Sequence, residues 1–319
     1  MTSGFDVIGD VHGHADKLEG LLAKLEYVFS DGIWAHPTRK AVFIGDLIDR
    51  GPRQLDTVRI ARRMVDAGEA HIVMGNHEFN AIAWFLPNPD SPSDRLRTHL
   101  GKKGAKNRRQ HEAFLREVGE DSDEHAEIIA WFKTLPLWLD FGDVRFVHAC
   151  WNAAGIEHFE GRLGPGNTLN DDLVHTMSIK GHDDYEHMEI LLKGPEIELP
   201  GGLSYLDHQG YERNRARFVW WNENATTYDL GALIPGGTTT PDGAPFPALQ
   251  RTEIPKRPVE PYGDDVPLFF GHYWCTEETA IVGQHAMCVD YSAGKGDPLK
   301  AYRWDGEKKL DPSKLVSFG

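Results

Sequence analysis

Three short peptides near the start of the chain carry side chains that can hold metal ions and phosphate: Gly9-Asp10-Val11-His12-Gly13, Gly45-Asp46-Leu47-Ile48-Asp49-Arg50-Gly51 and Gly75-Asn76-His77-Glu78. Each follows an apolar run, and two later runs end in His148 and His272. Asp10, His12, Asp46, Asn76, His148 and His272 combine hard oxygen donors with imidazole nitrogen. That mixture favours manganese, iron, zinc, nickel or cobalt over calcium or an all-oxygen magnesium cage. Six ligands are too many for one open catalytic ion but suit two, spaced by ~3.5–4 Å. Asp46 is the expected bridging carboxylate, and manganese the first choice of metal.

Such a pair of ions polarises a water molecule for in-line attack on phosphorus, with no protein nucleophile. The departing oxygen then needs a proton. His77 can supply it if a carboxylate orients the ring and keeps it charged, and Asp49 is the partner in reach. Arg50 offers a planar fork matching two phosphate oxygens. The expected catalytic residues are therefore His77, Asp49 and Arg50, with Arg50 also the ligand of the substrate phosphate.

The elements that must position these groups can be read from hydrophobic spacing. Phe5–Ile8 is a strand, followed by Leu18, Leu21, Leu22 and Leu25 at helical period. The pattern repeats with Ala41–Ile44, then Leu55, Val58, Ala61, Met64 and Val65 on one helix face, and then Ile72–Met74. Alternation of strand and helix predicts parallel pairing, which brings residues beyond the strands' carboxyl ends together. Val144–Val147 and Leu268–Gly271 are expected to deliver His148 and His272 in the same way. Further strands are expected at Ala280–Val282, Met287–Val289 and Ala301–Trp304, with a second sheet layer packed on the first.

One domain spanning 1–319 is expected, interrupted by insertions at about 87–127 and 152–262. The first runs from a basic stretch (Lys102, Lys103, Lys106, Arg108, Arg109) to an acidic one and is expected to be solvated. The second is rich in Gly and Pro toward its end and is expected to form long loops. The net charge of −15, from 34 basic and 49 acidic residues, opposes binding to nucleic acid and to anionic membranes. No apolar run approaches the ~20 residues needed to span a bilayer. Cys150, Cys275 and Cys288 form no Cys-x-x-Cys pair and fit a reducing compartment. The opening residues lack a secretion signal, so a cytoplasmic location is expected.

Some features stay open. Arg213, Arg215 and Arg217 include a possible second phosphate ligand, but the sequence does not select one. Trp220, Trp221 and Tyr185 could stack on a base, although aromatic residues are more often core. His182, Asp183, Asp184 and His187 could bind a further metal, with a polar loop the better reading. Ser292–Gly296 is not a nucleotide-binding P-loop, since position 289 is Val and no Ser or Thr follows Lys295.

The three motifs, in this order, resemble the calcineurin-type metallophosphoesterases, specifically their phosphoprotein phosphatase branch. The carboxyl part, with Phe270-Gly271-His272-Tyr273-Trp274, is similar to bacterial symmetrical dinucleoside tetraphosphatases. The resemblance implies an α/β (α+β) metallophosphoesterase fold, a central β-sandwich of two mixed sheets flanked by helices, and the same ligand and catalytic residues. Two departures bear on the substrate. His148-Ala149-Cys150-Trp151 stands where protein phosphatases usually carry His-Gly-Gly, and Asp49 is present where the tetraphosphatases commonly lack it. The expected activity is phosphate monoester hydrolysis of a serine/threonine protein phosphatase type, acting on a phosphoprotein. The alternatives are hydrolysis of dinucleoside polyphosphates, a nucleotide-type substrate, and an inactive phosphatase fold serving as a binding scaffold.

Overall fold

The computed structural model describes residues 4–207, 210–276, 283 and 285–319. In chain order the central strands are β1 (Gly4–Ile8), β2 (Arg39–Phe43), β3 (Ala70–Ile72), β4 (Trp138–Asp140), β5 (Arg145–Val147), β6 (Leu268–Phe270), β7 (Ala286–Cys288), β8 (Leu299–Trp304) and β9 (Leu315–Phe318). They form two mixed sheets, ordered β9-β8-β1-β2-β3 and β7-β6-β5-β4. The parallel pairs are β1 with β2, β2 with β3, β5 with β6 and β6 with β7; the other neighbours run antiparallel. The expected strand at Ala280–Val282 lies outside the described residues.

Alternation along each strand builds the layers, because successive side chains face opposite sides. Val7, Val42 and Tyr302 from one sheet meet Phe146, Phe269 and Met287 from the other in a fully buried inter-sheet core. Their neighbours Ile8, Ala41 and Phe43 face outward into a larger helical core. Helix α1 (Ala15–Lys24) contributes Leu18, Leu21 and Leu22 to it, and α2 (Gln54–Asp66) contributes Leu55, Val58, Ala61 and Met64. Helix α3 (Asn76–Phe85) starts at the third motif.

Segment 87–127 is solvated on one side as expected but is not solvated throughout. It contains α4 (Gly101–Val118) and the start of α5 (Asp123–Phe132). Gly104, Asn107, His111, Phe114, Leu115 and Val118 form a buried stripe on α4, while Lys102, Lys103, Arg108 and Arg109 are exposed on its outer side. The charges dominated composition, but a 3–4 residue period hides an inner face beneath them.

Segment 152–262 forms long loops at its Gly- and Pro-rich end, with no helix or strand among the described residues over 234–262, but its first part holds more order. It contains α6 (Ala153–Phe159), α7 (Asp171–Met177), α8 (Asp183–Lys193) and a small sheet that includes the strand Arg215–Phe218. Asp184 on α8 is buried and takes a bidentate pair from Arg162 at 2.7 and 2.8 Å, with His158 at 2.6 Å, so it ties helices together. Trp220 is fully buried core. The cysteines are free and buried. Among the described residues no helix is long and apolar enough to cross a membrane.

Candidate metal centre and active site

The motif loops leave β1, β2 and β3 at their carboxyl ends and are stitched to one another. The His12 amide donates to the Asp46 carbonyl at 2.9 Å, Gly13 to Leu47 at 2.7 Å, and Gly51 back to His12 at 2.9 Å. Glu78 completes the seam: its carboxylate accepts from the amides of Asp46 at 2.8 Å, Leu47 at 2.7 Å and Gly75 at 2.9 Å. Burial and the neighbouring Asp46 carboxylate push Glu78 up to about 6. Gly45 has φ +90°, and a Cβ there would lie 2.4 Å from the Gly75 nitrogen, so only glycine lets these loops approach. His12, Asp46, Asp49, Arg50 and His272 also have φ between 48° and 73°. L-residues rarely adopt that region, and such strain concentrates at functional sites.

All six expected metal ligands come together. His12 and His148 each direct Nδ1 at a backbone carbonyl, Ile48 at 2.9 Å and Ile44 at 2.6 Å. A carbonyl only accepts, so Nδ1 carries a proton and Nε2 is the nitrogen left to face a metal, which at His148 takes the place of a proton. Asp46 Oδ1 lies 3.5 Å from His148 Nε2, and Asp46 Oδ2 lies 3.7 Å from His12 Nε2. Asn76 Oδ1 is 3.1 Å from His148 Nε2, and Asp10 Oδ2 accepts the His272 amide at 3.1 Å. The His148 and His272 rings are 5.3 Å apart. Two donor groups, His12–Asp46–His77 and Asp46–His148–His272, each fall within 4.8 Å, and Asp46 belongs to both.

The donor set fits metal ions. His12 Nε2 is buried with no hydrogen-bond partner. Burial, with His77 and Arg50 nearby, lowers His12 to about 3, so it is the neutral ligand a metal needs. Burial opposes charge on His148, yet Asp46 and Asp10 push it to about 10. This concentration of buried carboxylate calls for positive charge at its centre.

Beside the donors stands the pair of His77 and Asp49. His77 directs Nδ1 onto Asp49 Oδ2, and its amide donates to Asp46 Oδ1 at 2.9 Å. Burial disfavours charge on His77, but Asp46 and Asp49 outweigh it and raise the ring above the ordinary histidine value. Asp49 is fully buried and held below the usual carboxylate range: burial works against its charge, and His111 and His77 override it.

His111 lay outside the sequence expectations. Its Nδ1 is 2.8 Å from the same Asp49 oxygen that His77 uses, close enough for an electrostatic pair but poorly aligned as a hydrogen bond. Its place in the α4 stripe is the signal that could have marked it as buried. Of the open arginines, only Arg217 reaches the site: Nη1 donates to the His272 carbonyl at 3.1 Å. Arg213 pairs with Asp207, and Arg215 with Glu196. Asp290 was also missed, although it follows β7 as the motif aspartates follow their strands. Burial raises it, while its carboxylate accepts from the amides of Trp274 at 2.8 Å and Ser292 at 2.9 Å.

The sequence profile of the calcineurin-like phosphoesterases matches residues 4–231, more than half of the chain and all three motifs. The chain belongs to this family. Phosphoesterase relatives include the asymmetrical bis(5'-nucleosyl)-tetraphosphatase PrpE of Halalkalibacterium halodurans, 34% identical over 148 residues covering 45% of this chain and 54% of that protein. The PrpE of Geobacillus thermodenitrificans is 34% identical over 162 residues, covering 50% and 60%. The chain thus spans little more than half the length of the curated relatives it matches. Among solved structures, a protein serine/threonine phosphatase from Saccharomyces cerevisiae aligns with 98% of this chain and 79% of its own, at 15% identity and a TM-score of 0.45.

Proposed function

We propose that this phosphoesterase hydrolyses phosphate esters or anhydrides at a two-metal centre held by Asp10, His12, Asp46, Asn76, His148 and His272. When bound, the divalent ions, manganese in this reading, supply water activation and charge neutralisation at phosphorus. Arg50 and Arg217 grip the phosphoryl oxygens, matching flat guanidinium to phosphate. His77, kept charged by Asp49, passes a proton from Nε2 to the leaving oxygen, and Asp49 holds Nδ1 so that Nε2 faces the substrate. We treat 1–319 as one domain in which 87–127 and 152–262 are insertions. The observation that carries this reading is the pair of donor groups sharing Asp46, with the His77–Asp49 pair alongside.

For the substrate, the tetraphosphatase activity of the PrpE relatives favours a dinucleoside tetraphosphate. The phosphoprotein reading rested on Asp49, but a carboxylate that keeps a proton donor charged serves either leaving group. It therefore takes second place. The test is turnover of diadenosine tetraphosphate, a phosphopeptide and an aryl phosphate with manganese present. The dinucleotide is expected to react with the highest kcat/KM. A preference for the phosphopeptide would reverse the order, and no turnover of any substrate by metal-loaded protein would overturn the hydrolase reading.

A further inference from the structure

Three cations gather round one indole at the mouth of the site. The Trp274 ring centroid lies 4.6 Å from Arg50 Cζ, 5.5 Å from Arg217 Cζ and 3.8 Å from Lys295 Nζ. Like charges repel, and the chain as a whole carries −15, so this concentration is not the average of the surface. Among the described residues none of the three makes an ion pair; the carboxylate nearby, Asp290, spends both oxygens on backbone amides. The proximity is felt at Lys295: burial and then Arg50 lower it from the ordinary lysine value, with Arg217 adding to the effect and Asp290 opposing it.

The loop that presents Lys295 is built to stay there. Ser292 starts a turn of 3-10 helix, Ala293–Lys295, with φ +63°. Its amide is held by Asp290, and its hydroxyl donates to the Cys275 carbonyl at 3.3 Å. Lys17 on α1 donates to the carbonyls of Ala293 at 3.3 Å and Asp297 at 2.6 Å. Gly294 lies directly on the site: a Cβ there would be 2.6 Å from His12 Cδ2 and 2.8 Å from Arg50 Cδ. Asp290 also holds the Trp274 amide, so one buried carboxylate sets both the ring and the lysine turn.

Arg50 and Arg217 suffice for one phosphoryl group. A third, solvent-facing cation at the same ring would be a liability unless a second negative group arrives with the substrate. We propose that Lys295 binds the phosphate next to the one attacked, making Arg50, Arg217 and Lys295 a subsite for a chain of two or more linked phosphates. This rests on the hydrolase reading above and extends it from a substrate class to the residue that selects it. The Ser292–Gly296 segment thus contacts phosphate through one side chain, not by a P-loop's ring of backbone amides.

The test combines binding and turnover with Lys295→Gln and Lys295→Arg. Titration calorimetry on manganese-loaded protein compares inorganic tripolyphosphate with inorganic phosphate. Wild type is expected to favour tripolyphosphate, and Lys295→Gln to shrink that preference about tenfold or more, the worth of one charge-assisted hydrogen bond. The ratio of kcat/KM for diadenosine tetraphosphate over the aryl phosphate should fall in step, and Lys295→Arg should restore most of both ratios. Equal losses for both ligands, or ratios unchanged in Lys295→Gln, would overturn the assignment. Should the wild type turn over neither substrate, the hydrolase reading falls while the calorimetry still decides the role of Lys295.

Discussion

Asp49 carries two imidazoles on one carboxylate oxygen, His77 and His111. In the proposed mechanism His77 must be charged to donate, and its raised value keeps it charged above the ordinary histidine range. Activity that needs this proton is therefore present at lower pH and lost as pH rises through the raised value. Asp49→Asn removes a charge that favours the imidazolium, so the alkaline limb of the kcat profile should move to lower pH. An unmoved limb would show that Asp49 does not set it. His77→Ala should cost about 10²–10⁴ in kcat with metal content retained by elemental analysis. In the proposed mechanism His111 is a positioning residue, acting through Asp49. His111→Asn should lower kcat more than it changes KM and displace the same limb, whereas a merely structural role would lower stability and leave the pH profile in place. Asp46→Asn should release metal, because both donor groups lose the carboxylate they share.

Helices and loops are fastened by a few buried carboxylates. Glu78 spans three amides of two motif loops, so Glu78→Gln, which swaps one acceptor for a donor, should weaken metal retention without touching a ligand. Asp184 fastens α8 to Arg162 and His158. Burial opposes its charge, but Arg162, Thr176 and His158 prevail and hold it below the usual carboxylate range. A depressed carboxylate contributes stability above its unfolded value of about 3.9, and that contribution is lost as pH falls toward the folded value. Asp184→Asn should therefore cost about 2 kcal/mol at neutral pH in denaturant unfolding, a deficit that narrows in acid.

Across the whole molecule, two sheets converge on a site in which Asp10, Asp46 and Asp290 repel one another, and burial followed by Asp290 raises Asp10 well above its ordinary value. Cations that bind the folded protein and not the unfolded chain relieve this and stabilise the fold by mass action. Chelation should lower the melting temperature by about 5 °C or more relative to protein in excess manganese, with recovery on readdition. A melting point indifferent to metal would count against the centre.

The proposed ligand set could be read because its members lie on loops or turns that follow apolar strands, and parallel pairing converts that local rule into proximity. Asp10, Asp46 and Asn76 needed only the order of strands, and glycines such as Gly45 marked where loops must touch. Local pattern said nothing comparable of His111, which lies on a helix whose outer charges masked its inner stripe. Arg213, Arg215 and Arg217 alternate in sequence, so spacing could not choose among them; the fold did, by bringing Arg217 to the His272 carbonyl while Arg213 and Arg215 pair with Asp207 and Glu196. Lys295 belongs to a segment whose sequence rules out a P-loop and offers no other role; only the fold lays its neighbour Gly294 on His12 and Arg50. Sequence alone thus determined the donor types and their placement at strand ends, since both are local. The tertiary structure decided which distant charges share the pocket, because through-space electrostatics depends on distances that chain separation does not encode.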